Sequence, residues 1–240
     1  MQILIVNDDG IEYEGIHILA ELAKDFGDVT VVAPMKQCSA MSHRVSIDRE
    51  QSIRRSTIPV EGCKAYAVDG TPADCVKVAI GFLGLKPDYV FSGINDGINA
   101  GFDIAYSGTI GAAMEALMLG IPAIAYSRLR KGEADYGTVR AHFHDLTDML
   151  LRKEPLKDSI WNINFPNCPA SSCKGILHDR RIAPQLVIPD TYHLIAQDGD
   201  ETTVKLSGHM LDASAFDEGT DLKAVLDNYV SVGSVRCPVL

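Results

Sequence analysis

Ile3-Leu4-Ile5-Val6 runs without a break into Asn7-Asp8-Asp9-Gly10, and this junction constrains the fold more than any other stretch of the chain. A short apolar run rich in β-branched residues suits a strand buried on both faces of a parallel sheet. Asn-Asp-Asp-Gly is turn chemistry and ends that strand abruptly. Ligands of open α/β sheets bind outside the carboxyl ends of the strands, so Asp8 and Asp9 stand where a site belongs. Adjacent carboxylates repel each other and resist desolvation without a partner. A divalent cation is one such partner. A solvated acidic turn is the plainer alternative, and what else converges on the pair decides between them.

The pattern that follows predicts an α/β fold. Gly15 to Phe26 carries Ile16, Leu19, Ala20 and Ala23 at helical spacing, with Gly27 placed for a left-handed cap. Val29 to Ala33 reads as a second buried strand, which makes a right-handed β-α-β unit and a mostly parallel sheet. Val45-Ser46-Ile47 and Lys64 to Val68 read as an inserted hairpin. Thr71, Pro72 and Asp74 spell a helix start, with Thr71 as N-cap and Asp74 reaching back. Strands are expected at Pro87–Ser92, Pro122–Ser127 and Trp161–Pro166, the last closing the main sheet, and a helix at Thr138–Leu151. The pattern then weakens: Thr202–Leu206 reads as a strand, Asp221–Leu226 as a short helix and Tyr229–Val232 as a terminal strand. Residues 1–166 are read as the core and 167–240 as a C-terminal extension with a hairpin and a dimerisation segment. Its apolar terminal segments are expected to be buried against a second subunit.

A formal net charge of −10 argues against a nucleic-acid polymer or an anionic membrane as partner, because phosphate-backbone binding needs clustered Lys and Arg. It leaves room for a small phosphorylated ligand, since a metal supplies local positive charge. No apolar run has the length of a membrane span, and Ile3–Val6 lacks the features of a signal peptide. Six scattered cysteines contain no Cys-x-x-Cys pair, so reduced thiols and a cytoplasmic location are expected.

Three further stretches fall at carboxyl edges beside the acid pair. The Pro34–His43 loop is small and polar, and its Ser39 offers a hydroxyl, although loop serines commonly only form turns. Gly93-Ile94-Asn95-Asp96-Gly97-Ile98-Asn99-Ala100-Gly101 is richer in Gly and Asn than turning the chain requires, and Asn95 can give an amide oxygen to a hard cation. Ser107-Gly108-Thr109 opens a helix, as an ordinary cap or as a phosphate cradle.

In this order the motifs resemble the SurE (survival protein E) family of metal-dependent nucleoside monophosphate phosphatases. The matching text is Asn7–Gly10, Ala33-Pro34 with Ser39, Gly70–Cys75, Ser92–Asn95 with Gly97 and Asn99, and Tyr106–Thr109 through Glu115. The resemblance implies a Rossmann-like three-layer core and 5′- and 3′-nucleotidase activity. It also implies one divalent cation per subunit (Mg²⁺ or Mn²⁺) on Asp8, Asp9, Ser39 and Asn95, and a homodimer, with a tetramer as the larger alternative. In the C-terminal third, Asp190-Thr191-Tyr192-His193-Leu194 stands where the family has Asp-Pro-x-Gly and an aromatic pair.

The chemistry expected is phosphomonoester hydrolysis of nucleoside monophosphates, with Asp8 or Asp9 orienting or deprotonating water and Ser107, Gly108 and Thr109 as phosphate contacts. A broader phosphomonoesterase or exopolyphosphatase is the alternative within hydrolases. A haloacid-dehalogenase-like enzyme would need Asp-x-Asp after the first strand, whereas here the acids are adjacent. A receiver-like phosphoacceptor module would need an Asp closing a later strand.

Overall fold

The computed structural model, which describes residues 1–189, 191–208 and 210–240, is built around β1 (Gln2–Val6). Ile3 and Ile5 enter one core while Leu4 and Val6 enter a second, as the two-residue period of a strand requires. In chain order follow α1 (Glu14–Ala23), β2 (Asp28–Pro34), β3 (Ile53–Ser56), β4 (Lys64–Val68), α2 (Pro72–Lys77) and β5 (Tyr89–Asp96). Then come α3 (Gly108–Met118), β6 (Ala123–Arg128), α4 (Gly137–Leu151), β7 (Ser159–Phe165) and β8 (Ile176–Leu177). The chain ends with β9 (Thr191–Asp198), β10 (Glu201–Ser207), α5 (Asp221–Leu226) and β11 (Val230–Arg236).

Among the described residues the main sheet has nine strands in the order β3-β4-β2-β1-β5-β6-β7-β11-β8. Every pairing is parallel except β3 on β4 and β11 on β7. The core on one face takes Ile16 and Leu19 of α1 and Phe143 and Leu146 of α4. The opposite core takes Cys75 of α2 and Ala112 and Ala116 of α3. This is the expected three-layer α/β arrangement. From β1 the chain steps outward to β2 on one side and returns to β5 on the other. The carboxyl ends of β1 and β5 therefore lie side by side at a switch point, where a doubly wound sheet opens a crevice.

The Thr71 start is as the sequence predicts: its side chain accepts from the Asp74 N–H, and the Asp74 carboxylate accepts from the Thr71 N–H. Elsewhere the structure corrects the sequence reading. Helix α1 stops at Ala23, and Gly27 does not adopt a left-handed conformation. A Cβ there would lie 2.0 Å from the Met1 carbonyl oxygen, so Gly27 serves the close approach of the N-terminus to the start of β2. The strand that pairs with β4 is Ile53–Ser56 and not Val45–Ile47, and β4 itself pairs with β2, so both belong to the main sheet.

Nor does β7 close the sheet. β11 pairs with it from Ser231 to Arg236, so the sheet crosses position 166. Val230 and Val232 are buried in the chain's own core, and Leu222 and Val225 of α5 pack with Ile98, Ala100 and Ala183. The terminal segments expected against a second subunit are thus buried within this one. The β9–β10 ribbon stays exposed, with Tyr192, Leu194, Ile195, Val204 and Leu206 in solvent, and so do Val239 and Leu240 after β11. Of the segment that departs from the family pattern, Asp190 lies outside the described residues and Thr191–Leu194 opens β9.

Because Val232 is 1% exposed, Val232→Ala should lower the unfolding free energy by roughly 2 kcal/mol in a urea titration. An unchanged midpoint would remove β11 from the core.

Candidate functional site

The turn after β1 is braced by its own residues. The Asn7 amide donates to the Gly10 carbonyl at 2.9 Å, and the Gly10 N–H donates back to Asn7 Oδ1 at 3.2 Å. Gly10 has a φ of 105°, which a side chain would strain, and Ile11 N–H ties the turn to the end of β2 through Pro34 O at 2.9 Å. This local structure holds Asp8 and Asp9 at the switch point with 3% and 8% of their surface exposed.

Each carboxylate is met by a different element. Thr109 donates its hydroxyl to Asp8 Oδ1 at 2.5 Å, and its N–H also acts on that carboxylate. Asp8 therefore stands at the N-terminus of α3, the end that favours negative charge. Gly108 permits this contact, since a Cβ there would lie 2.8 Å from the Asp8 Cβ. Asp9 Oδ2 accepts the Asp96 N–H at 2.9 Å, and Gln37 reaches Oδ1 at 3.4 Å. Burial raises the Asp8 pKa from the ordinary 3.8 to about 6, against the Thr109 hydrogen bond and with added repulsion from Asp9. Burial raises Asp9 as well, opposed by the Asp96 N–H and Gln37.

Asn95 lies near the end of β5, beside β1. Its amide N–H₂ donates to the Gly97 carbonyl at 2.6 Å, which leaves Oδ1 as the atom free to accept or to ligate. Ser39 is exposed in the loop after β2, and that loop is tied to the acid pair by the Cys38 N–H on the Asp8 carbonyl at 2.7 Å. Both hydroxyls expected as phosphate contacts also take part in structural bonds. Ser107 caps α3 by accepting the Ile110 N–H at 3.1 Å, and the Thr109 hydroxyl is committed to Asp8. As an acceptor at the cap, the Ser107 hydroxyl keeps its own proton to donate.

Sequence reasoning missed the residues behind Asp9. Arg128, 2% exposed, pairs with Asp96 Oδ1, and the Tyr13 hydroxyl donates to Asp96 Oδ2 at 2.7 Å. That bond and burial push the Tyr13 pKa up to about 12, so the phenol remains a donor. Asp96 does end a strand, but its carboxylate is held by this pair and by Arg130 at 3.5 Å and is not free as a phosphoacceptor. The detectable signal was Arg128 itself, a lone charge at the end of an otherwise apolar strand. Asn162 and Asn164, two residues apart on one face of β7, carried a second: both donate to the Asn99 carbonyl, at 2.8 and 3.0 Å.

Among the described residues no cluster of three or more His, Cys, Asp or Glu side chains is placed to hold a metal. The donor set on offer is two carboxylates with the amide oxygen of Asn95 and the hydroxyl of Ser39, all hard oxygens of the kind Mg²⁺ and Mn²⁺ prefer.

The model of survival protein SurE matches residues 3–185. The chain belongs to the SurE family. A 5′-nucleotidase SurE from Thermoanaerobacter sp. (strain X514) is 36% identical over 237 residues, which is 98% of this chain and 92% of the relative. One from Clostridium botulinum (strain Alaska E43 / Type E3) is 41% identical over 179 residues, 73% of this chain and 71% of the relative. Among solved structures, the SurE protein from Aquifex aeolicus superposes with a TM-score of 0.81 at 32% identity, covering 98% of this chain and 93% of that one. The SurE likeness is therefore full-length, while the family model stops short of the exposed ribbon.

In this SurE chain the raised Asp8 pKa has a stability consequence. The folded metal-free protein binds that proton more tightly than the unfolded chain, whose aspartate titrates near 3.8. The contribution is therefore full below about pH 4 and is lost as pH rises through about 6, a difference of about 3 kcal/mol. Unfolding free energies measured from pH 4 to 7.5 should show this fall in the wild type and lack it in Asp8→Asn. Parallel curves for the two proteins would place Asp8 in solvent.

Proposed function

We propose that this chain hydrolyses nucleoside monophosphates as a 5′-nucleotidase, releasing nucleoside and phosphate. Full-length likeness to proteins named 5′-nucleotidase SurE supports the activity. The observation that supports the site assignment is that β1, which leads into Asp8 and Asp9, pairs with β5, which carries Asn95, and that the Asp96 N–H, next after Asn95, reaches Asp9. Asp8, Asp9, Ser39 and Asn95 would hold one Mg²⁺ or Mn²⁺ per subunit. Two adjacent buried carboxylates without a salt bridge among the described residues, together with an amide whose oxygen is left free, fit such an ion. When bound, the ion would supply positive charge for the phosphoryl group and would make water a better nucleophile.

The protein's own part is positional. Thr109 fixes Asp8 Oδ1, and the Asp96 N–H fixes Asp9 Oδ2, so each acid is held in a defined orientation at the switch point. Asp8 is the group we assign to orient the attacking water and take its proton, since Thr109 fixes its carboxylate at the N-terminus of α3. Ser107 and Gly108 at the start of α3 are the remaining candidate phosphate contacts. Activity on 3′-monophosphates, and a wider phosphomonoesterase range, belong to the same reading.

A homodimer is part of the proposal, supported by the apolar side chains that β9 and β10 leave in solvent. No helix among the described residues is long and apolar enough to cross a membrane. All six cysteines are free thiols, in keeping with the reducing cytoplasm in which we place the protein.

Phosphate release from nucleoside monophosphates should vanish with a chelator and return with Mn²⁺ or Mg²⁺. Asp9→Asn and Asn95→Ala should each raise the Mn²⁺ concentration for half-activity by roughly tenfold or more. Asp88→Asn, whose carboxylate accepts the Gln2 N–H at the far end of β5, should match wild type. Equal Mn²⁺ dependence in Asp9→Asn and Asp88→Asn would remove the acid pair from the mechanism, and turnover in chelated protein would remove the metal.

A further inference from the structure

Glu115 of α3 is buried, 3% exposed, and its partners are not those of Asp8 and Asp9. Two side chains from other segments satisfy it. His43 Nε2 lies 2.7 Å from Oε2, and Lys77 Nζ, at the end of α2, lies 2.8 Å from Oε1. An ionised carboxylate only accepts, so His43 gives it the Nε2 hydrogen.

What His43 brings to α3 is the far end of the Ser39 loop. Its near end is held by the Cys38 N–H on the Asp8 carbonyl at 2.7 Å. At the far end the Ser42 N–H donates to Tyr106 O and the Ser42 hydroxyl to Ala105 O, each at 2.8 Å. Gly111 lets this end lie against α3, because a Cβ there would sit 2.6 Å from the Ser42 carbonyl oxygen. Ser39, Ala40 and Met41 bridge the two ends. Ala40 and Ser42 have φ of 57° and 53°, a left-handed conformation that a side chain disfavours. Such a bridge keeps its shape only when its surroundings pin it. The Ser42 hydroxyl makes its bond in the open, where water competes, whereas the His43 bond is part-buried and has an ionised acceptor. Among the described residues Ser39 has no side-chain hydrogen bond of its own, so its hydroxyl goes where the bridge carries it.

We infer that His43 and Glu115 are positioning residues for the metal centre: anchored on Glu115, His43 fixes the loop end that sets the place of the Ser39 hydroxyl. The inference rests on the reading of Ser39 as a ligand with Asp8, Asp9 and Asn95.

The test reads metal binding directly, from the electron paramagnetic resonance signal of the Mn²⁺ left free beside the protein. His43→Ala should raise the Mn²⁺ dissociation constant about tenfold, and His43→Gln, whose amide nitrogen stands where Nε2 does, should restore most of the affinity. Ser39→Ala should weaken binding at least as much. Adding His43→Ala to it should weaken binding no further, because residues that act through one another do not add. Lys77→Gln removes the α2 arm of the same carboxylate and should bind as wild type. His43 is partly exposed, and thermal melts should confirm folded variants. His43→Asn, whose amide stops short of Glu115, runs the same cycle if the alanine variant unfolds. Unchanged affinity in folded His43→Ala, losses that add in the double variant, or an equal loss in Lys77→Gln would overturn the positioning role. Ser39→Ala that binds as wild type would overturn it too, while leaving the acid pair and the nucleotidase reading in place. Wild-type protein that binds no Mn²⁺ would overturn the metal reading and the positioning role together.

Discussion

Two adjacent carboxylates taken out of water at the end of the central strand are the constraint on which this structure depends. Burying an unpaired carboxylate costs several kcal/mol, and a second beside it adds repulsion. The fold meets that cost piecemeal. Asn7 and Gly10 lock the turn, the N-terminus of α3 faces Asp8 through Thr109, and β5 gives the Asp96 N–H to Asp9. No single element could serve both acids. β1 must therefore have β5 on one side and α3 above, which is what the reversal of strand order beside β1 provides. The residual strain, seen in the raised pKa of both acids, is what a bound cation would relieve.

Behind the acids lies a buried polar frame. Asp96 is gripped by Arg128 and Tyr13, and Arg128 goes on to Asn167 at 2.6 Å. Asn162 and Asn164 of β7 fasten the loop after β5 through Asn99, whose amide also reaches Ser127 at 2.8 Å. Asp221 of α5 accepts N–H groups from Gly101 and Ala183 at 3.0 and 2.9 Å. The C-terminal extension thus buttresses the Asn95 loop and is part of what holds the centre, quite apart from any role in subunit contact. The frame is not saturated, since among the described residues Arg128 Nε and Asn162 Oδ1 are buried without a hydrogen-bond partner, and it is the named bonds that hold it in register.

Legibility followed the range of the forces involved. The strands Ile3–Val6 and Val29–Ala33 and the Thr71-Pro72-Asp74 start were readable because each is a pattern within a few residues: period, turn chemistry or cap. Gly27 misled because a glycine after a helix has two uses, a left-handed cap or a close approach, and only the position of Met1 separates them. Val45–Ile47 misled because its apolar residues look like an edge strand, while the residues that pair with β4 are the charged Ile53–Ser56. Arg128, Tyr13 and the Asn pair of β7 went unread because their partners lie far away in the chain.

The sequence by itself determined the α/β class, the carboxyl-edge location of Asp8 and Asp9 and membership of the SurE family, since these rest on local periodicity and contiguous motifs. Tertiary structure alone decided how the acids are held. Thr109 is 101 residues from Asp8, and Asp96 is 87 from Asp9. It also decided that Ser107 caps α3, that Thr109 turns its hydroxyl to Asp8 and that β11 returns to the main sheet. The physical reason is that burial and pairing depend on which distant surfaces meet, and strand order fixes that only when the whole sheet has assembled.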